Sequence, residues 1–296
     1  MRINILGSAA GGGLPQWNCK CPNCSKARAG EIPARSQSSV SVSGNGSDWA
    51  IINASPDVRD QINTTPALHP TGLRESPIRS VFVTNGDIDH IAGLLTLRES
   101  QPYSLFATSE IMGVLGENPI FNALKPDIVP RRVIELDVPF ELVSGVVATA
   151  YAVPGKVPLF MEGDTVETDL EGEQTIGVAL EAAGKCAHYV PGCARVTDKL
   201  LARIDGSDAL LFDGTVWQND EMSREGVGHK TGMRMGHAPM TGPGGSIEAL
   251  DGSSIKRKIF VHINNTNPVL DPERPERWEA EAAGWLIAED GMEIRL

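Results

Sequence analysis

Apolar and polar residues alternate along this chain over short runs. Glycine, proline and asparagine punctuate those runs, which is the pattern of many strands joined by turns. "MRINIL" (1–6) predicts a first strand that runs into the glycine-rich "GSAAGGG" (7–13). "SSVSVSGNGSDWAIINAS" (38–55) predicts a hairpin around Asn45-Gly46. "PDVRDQI" (56–62) predicts a short helix with Ser55 as its N-cap. "SVFVTN" (80–85) is a strand, "HIAGLLTLRES" (90–100) has helical spacing, and "SLFATSEIMGVLG" (104–116) reads as a strand followed by a helix. Four strand-like segments follow: "RRVIELDV" (131–138), "FELVSGVVATAYAVPG" (140–155), "QTIGVALEAAG" (174–184) and "KCAHYVPG" (185–192). "KLLARIDGSDALLFDGT" (199–215) predicts a helix or turn and then an apolar strand ending at Asp213. Residues 217–247 are loop-rich; "KRKIFVHINNTNP" (256–268) predicts a strand ending at His262, "PERPERWEAEAAGW" (272–285) a helix, and "MEIRL" (292–296) a closing strand.

No internal period and no low-complexity linker interrupts the pattern, which predicts one α/β domain over residues 1–296 with two strand-rich halves. Hydrophobic residues make up 41% of the 296, enough for a sizeable core. The 26 Lys and Arg against 38 Asp and Glu give a net charge of −12, which argues against nucleic acid or an anionic membrane as partner. "MRINILGSAAGGG" lacks the long apolar stretch of a signal peptide, and no apolar run approaches the roughly 18–20 residues of a membrane helix. A cytoplasmic protein is expected.

Three of the five cysteines crowd into "NCKCPNC" as Cys19, Cys21 and Cys24. Three thiols this close can converge on one tetrahedral cation, and thiolate suits zinc; the other readings are unliganded thiols, or a catalytic thiol or redox pair. Cys186 and Cys193 stand in apolar context and read as small buried hydrophobes. The glycines at 7, 11, 12 and 13 do not fit the G-x-G-x-x-G spacing, and Pro15 follows at once. The loop is therefore either flexible or shaped to bring backbone close to an active site. Three predicted strands end in ligand-type residues: Asn85, Asp87, Asp89 and His90 after one, Asp213 after another, His262 after a third. Strand ends on one edge of an α/β fold converge on its usual ligand crevice.

This layout resembles the metallo-β-lactamase superfamily, whose signature His-x-His-x-Asp-His follows an apolar strand. Here the signature segment stands as Asn85-x-Asp87-x-Asp89-His90, with Asp213 in "LLFDGT" in place of the bridging Asp and His262 in "IFVHINN" in place of the last His. "AVPGKVP" (152–158), where the middle His is expected, contains none. The resemblance implies an αββα four-layer sandwich with one active-site metal rather than two, held by Asp89, His90 and His262 with Asp213 nearby. Two histidines and a carboxylate with open positions is the ligand set of non-haem Fe(II) oxygenases, and it also serves zinc hydrolases.

"GSAAGGGLPQWNCKCPNC", "SPDVRDQI", "TNGDIDHIAGLLTLRE", "AVPGKVPLF", "YVPGC", "MGHAPM" and "HINNTNPVLD" narrow the resemblance to the PqqB family, coenzyme PQQ synthesis protein B. It implies a structural Zn(II) on Cys19, Cys21 and Cys24. A related phosphodiesterase branch completes such a zinc with a His three residues after the last active-site His, and counting here gives Asn265. The resemblance also implies a role in pyrroloquinoline quinone (PQQ) biosynthesis: an Fe(II)- and O2-dependent hydroxylation of the tyrosine ring in a Glu–Tyr intermediate derived from the PqqA peptide. The other readings are a non-catalytic carrier transporting PQQ and a zinc-dependent hydrolase. The expected partner is that small molecule or PQQ itself, with room for a homodimer. Asn85, Asp87, Asp57 and His237 are expected near the ligands or the substrate, and Arg59 and Lys156 as partners for substrate carboxylates.

Overall fold

The computed structural model describes residues 1–163 and 165–296. In chain order the strands are β1 (Arg2–Gly7), β2 (Ser39–Ser43), β3 (Trp49–Ile52), β4 (Ile78–Phe82), β5 (Ser104–Ala107), β6 (Arg131–Val133) and β7 (Pro139–Val143), followed by β8 (Val146–Gly155), β9 (Leu170–Ala182), β10 (Lys185–Val190), β11 (Ala209–Asp213), β12 (Lys258–Val261), β13 (Trp285–Ile287) and β14 (Glu293–Arg295). They build two seven-stranded sheets of order β14-β1-β2-β3-β4-β5-β6 and β13-β12-β11-β10-β9-β8-β7. Each sheet is antiparallel at one end and parallel at the other: β3 to β6 run parallel in the first, β10 to β13 in the second.

The period of two sorts side chains between layers. Ile3, Ile5, Val40, Val42, Ala50, Ile52 and Phe82 from the first sheet meet Ala148, Val178, Leu180, Tyr189, Leu211 and Val261 from the second. The opposite face of the first sheet presents Trp49, Ile51, Val81 and Leu105 to helical residues such as Val58, Ile111 and Leu115. The opposite face of the second presents Tyr151, Leu210, Phe212 and Phe260 to Leu200, Ile204 and Ala280. Three apolar interfaces make four layers, the αββα sandwich the sequence implies. No helix among the described residues is long and apolar enough to cross a membrane.

The differences from the sequence reading are local. Ser55 is not the N-cap: the helix Val58–Thr64 starts after Asp57, and the Ser55 hydroxyl instead accepts from the Asp57 N–H. The periodic segment 90–100 yields only a turn of helix, Ile88–Ile91, and a 3-10 turn, Ala92–Leu95. Gly93 explains the break, because its N–H binds the Ala54 carbonyl and a Cβ there would lie 2.0 Å from the Ser55 carbonyl oxygen. Close docking of that backbone overrides the periodicity. "RRVIELDV" is a strand only over Arg131–Val133. The loop-rich segment holds three single-turn helices, Glu221–Arg224, Gly232–Met235 and Ser246–Ala249.

Candidate metal centre

The ends of β4, β11 and β12 lie at one rim of the sandwich. After β4 the chain bends at Thr84, and the helical turn Ile88–Ile91 carries Asp89 and His90 inward. His262, one residue past β12, adopts φ +55, a left-handed conformation that a non-glycine residue adopts at a cost. Asp89, His90 and His262 converge, with the His262 Nε2 3.1 Å from an Asp89 carboxylate oxygen and the His90 Nε2 3.6 Å from it.

Each imidazole is aimed by its other nitrogen. The His90 Nδ1 lies 2.7 Å from Asn85 Oδ1, and the His262 Nδ1 lies 2.8 Å from Thr215 Oγ1. With Nδ1–H donating in both rings, each Nε2 presents a lone pair to the shared space, which is how a protein orients imidazoles toward a metal. The His90 Nε2 is buried and has no hydrogen-bond partner among the described residues. A buried lone pair without a donor costs free energy, and a cation would supply the missing partner. The residues present therefore fit a metal.

Charge supports the same fit. Burial works to raise the Asp89 pKa, but the His90 charge and the hydrogen bond from His262 outweigh it and hold the carboxyl well below its usual range. Burial pushes the His90 imidazole below its ordinary value. Burial also acts to lower His262, but the bond to Asp89 raises it. The ionised Asp89 carboxylate and the neutral His90 imidazole are the forms that bind metal, and at the His262 Nε2 a cation would replace the proton that Asp89 favours there.

Asp213 stands beside this cluster already committed. Its Oδ1 accepts from the Thr215 N–H and hydroxyl at 3.0 and 2.7 Å, and its Oδ2 from the Cys193 N–H at 3.0 Å and His237 Nδ1 at 2.7 Å. His237 stacks on His262 at 5.1 Å between ring centroids. Asp213, His237 and His262 thus form a second group of convergent ligand atoms. The Gly-rich loop passes over the cluster, since a Cβ on Gly11 would lie 3.4 Å from the Asp89 carboxylate carbon. Of its two sequence readings, the close backbone approach is the one the structure places.

The remaining candidates scatter. Asn85 aims His90, while Asp87 Oδ1 accepts from the Leu159 N–H at 3.2 Å. Asp57 does not reach the cluster: its Oδ2 holds the N–H and the side-chain amide of Gln37, whose Oε1 in turn accepts from the Gly12 N–H. Arg59 is exposed and pairs with Asp60. Lys156 pairs with Glu162 at 2.9 Å. Sequence reasoning overlooked Thr215, although its place two residues after a strand-end Asp was a signal for a hydroxyl that can reach back to that carboxylate.

The cysteines make a separate pocket. Pro22 opens the helix Pro22–Ala29, and the Cys21 Sγ caps it by accepting from the Cys24 N–H. The Gln16, Cys21 and Cys24 N–H groups point at the Cys24, Cys19 and Cys21 sulfurs at 3.3–3.5 Å. The Asn265 side-chain amide lies 3.2, 3.6 and 3.3 Å from the Cys19, Cys21 and Cys24 sulfurs, closing the pocket from the loop after β12. Asn23 pins that loop by donating to the Asn265 and Asn267 carbonyls. Burial pushes the Cys21 thiol up to about 12, whereas at Cys19 burial is outweighed by hydrogen bonds from Cys21, Cys24 and Asn265, and the thiol falls below its ordinary value. Three sulfurs with converging N–H donors suit a tetrahedral zinc site; the Asn265 atom that faces them is the amide nitrogen, a donor, so Asn265 can serve as the fourth ligand only with its amide turned to present the oxygen. Cys193 is buried, as the sequence suggested, and Cys186 is half-buried.

Comparison with known proteins gives the family and the fold. The family model described as Beta-lactamase superfamily domain matches residues 48–263. Coenzyme PQQ synthesis protein B of Methylobacterium radiotolerans is 56% identical, and that of Ruegeria pomeroyi 57%, each over 100% of both chains. The crystal structure of Zn(2+)-bound PqqB from Methylobacterium extorquens superposes with a TM-score of 0.99 at 54% identity over 100% of both chains. A diphosphatase of the PhnP family, at 21% identity and a TM-score of 0.69 over 100% of this chain and 97% of that one, shares the fold. The chain belongs to the coenzyme PQQ synthesis protein B family of the β-lactamase superfamily.

Proposed function

We propose that the chain acts in PQQ biosynthesis as an Fe(II)- and O2-dependent hydroxylase of the tyrosine ring in a Glu–Tyr precursor, with Asp89, His90 and His262 holding the iron and Cys19, Cys21, Cys24 and Asn265 holding a structural zinc. The buried, unpartnered His90 Nε2 facing Asp89 and His262 carries this reading. Asp89, His90 and His262 would hold Fe(II), and the metal, when bound, would supply the O2 chemistry that two imidazoles and one carboxylate support in other proteins. Asp213 is the reason for assigning one metal rather than two, because four protein donors already saturate its oxygens. The residues around the centre have separable tasks. Asn85 and Thr215 fix the two imidazoles. His237, 18% exposed and tied to Asp213, presents a polar group beside His262 where it can exchange a proton with the substrate phenol. Gly11 closes the roof over Asp89 without filling it.

The test is anaerobic loading with Fe(II), exposure to O2 with the Glu–Tyr intermediate and ascorbate, whose two electrons carry the second oxygen atom to water, and mass analysis of the ring. A mass gain of one oxygen that disappears in Asp89→Ala and His262→Ala is expected. Unchanged hydroxylation in those variants sinks the reading. Tight, metal-indifferent binding of PQQ without turnover would favour the carrier instead, and two bound zinc ions with hydrolysis would favour the hydrolase.

A further inference from the structure

Beside the metal centre this acidic chain, of net charge −12, gathers three cations around one carboxylate. Lys156, Arg234 and Lys230 lie 2.9, 3.0 and 3.9 Å from Glu162. The Glu162 and Lys156 side chains are nearly buried, at 9% and 11% exposure, while Arg234 and Lys230 face solvent at 39% and 48%. Burial acts to raise the Glu162 pKa, but hydrogen bonds from Arg234 and Lys156 overcome it and hold the carboxyl at about 2. Two positive charges are left over among the described residues.

The cluster is built into the rim of the centre. Arg234 lies on the helical turn that leads directly to His237. Lys156 follows β8, its carbonyl held by the Thr175 hydroxyl, and its stem runs 3.2 Å from where a Cβ on Gly236 would stand. Glu162 follows the turn Leu159–Met161, whose first N–H binds Asp87, two residues before Asp89. That turn exposes Leu159, Phe160 and Met161 by 57%, 49% and 46%. An apolar edge over surplus cations suits a planar organic acid: rings pack on the turn, and carboxylates take charge-assisted hydrogen bonds.

We infer that Lys156, Lys230 and Arg234 form the carboxylate-binding subsite of the centre, and that Glu162 holds the place of a substrate carboxylate until substrate displaces it. The inference rests on the proposed reading only for the kind of carboxylate delivered. Displacement exchanges one ion-pair set for another, so the cations stay paired throughout and the strap carrying Glu162 is released as the ligand enters.

Titration calorimetry of the metal-loaded chain with three probes tests this: PQQ as the tricarboxylate, its uncharged trimethyl ester, and tricarballylate, a tricarboxylate with no ring. Lys156→Ala and Arg234→Ala should weaken PQQ binding by about 10- to 100-fold, leaving the ester unaffected. Lys156→Arg and Arg234→Lys should keep most of the affinity, and an unchanged metal content controls for folding. Glu162→Gln should tighten tricarboxylate binding by roughly 10-fold, because the internal competitor is gone. Ester binding as tight as PQQ, or weaker tricarboxylate binding in Glu162→Gln, overturns the proposal. Cation-dependent binding of tricarballylate with no preference for PQQ would keep the subsite and discard the quinone reading alone.

Discussion

The sulfur pocket and the strand-end centre are both candidate metal sites, and one four-residue stretch serves both: His262 enters the centre and Asn265 closes the pocket. Their construction is otherwise opposite. The pocket draws three sulfurs from six consecutive residues, is lined by backbone N–H groups, and is covered by Asn265 from far along the chain, with Cys21 and Cys24 buried and Cys19 partly exposed. The centre draws Asp89 and His90 from the turn after β4 in the first sheet and His262 from the end of β12 in the second, 173 residues after Asp89, and aims each imidazole through a side chain. A closed sulfur site holds chain together, whereas an open site of nitrogen and oxygen leaves positions for chemistry. The difference shows where stability and reactivity should separate on mutation.

The largest effect is expected at the pocket. Cys21→Ala should lose one zinc and destabilise the fold by several kcal/mol, on the order of what structural zinc contributes; metal analysis with thermal unfolding would show both. An unchanged melting point with full zinc would erase the contrast. Next, His262→Ala should strip the centre while the pocket keeps its ion, with an affinity loss beyond the roughly 10- to 100-fold that losing a ligand's hydrogen-bond partner costs. Thr215→Val should fall within that 10- to 100-fold range in titrations of the centre, with the unfolding temperature moved less than by Cys21→Ala.

A smaller effect concerns the shared stretch. Glu221 is buried and receives the Thr266 hydroxyl at 2.6 Å, one residue after Asn265. Burial raises its pKa to about 7 from 4.5. The folded state therefore holds a proton that the unfolded state releases near pH 4.5. This contribution to stability is full below pH 4.5, declines as pH rises to about 7, and is flat above, a loss of about 3 kcal/mol at most. Glu221→Gln should flatten that slope in denaturant titrations between pH 5 and 7; an equal slope in both proteins would contradict the raised pKa. The smallest effect is expected at Arg59, where Arg59→Ala should stay within about 0.5 kcal/mol and leave titrations of both sites unmoved.

Asp89, His90, Asp213 and His262 were legible in the sequence because each ends an apolar run, and the ends of neighbouring strands must share an edge. Cys19, Cys21 and Cys24 were legible because spacing alone brings them together. Thr215 and the depth of His237's involvement were not, since hydrogen bonds across a rim depend on where loops fold back. The segment 217–247 carries no periodicity from which that return could be read. Lys156 was singled out for its charge, but its partner Glu162 and the companions Lys230 and Arg234 come from two loops that only the folded sandwich brings together. The short helix over 88–95 shows the converse: the spacing was helical, and a glycine docked against the Ala54 and Ser55 carbonyls ended it early.

The first strand sits between β2 and β14, with Arg2 opposite Arg295 and the Met1 and Leu296 backbones exchanging hydrogen bonds. This sets the tempo of folding. A sheet whose second strand in spatial order is its first in sequence cannot finish at its edge until the last residues arrive, and ordering so long an intervening chain makes such pairings slow. The centre waits in the same way, because Asp89 and His90 emerge early and His262 late. Refolding should therefore show protection against hydrogen exchange at the β14–β1 edge and affinity for metal at the centre both arriving late, which makes metal capture a clock for the closing steps of folding.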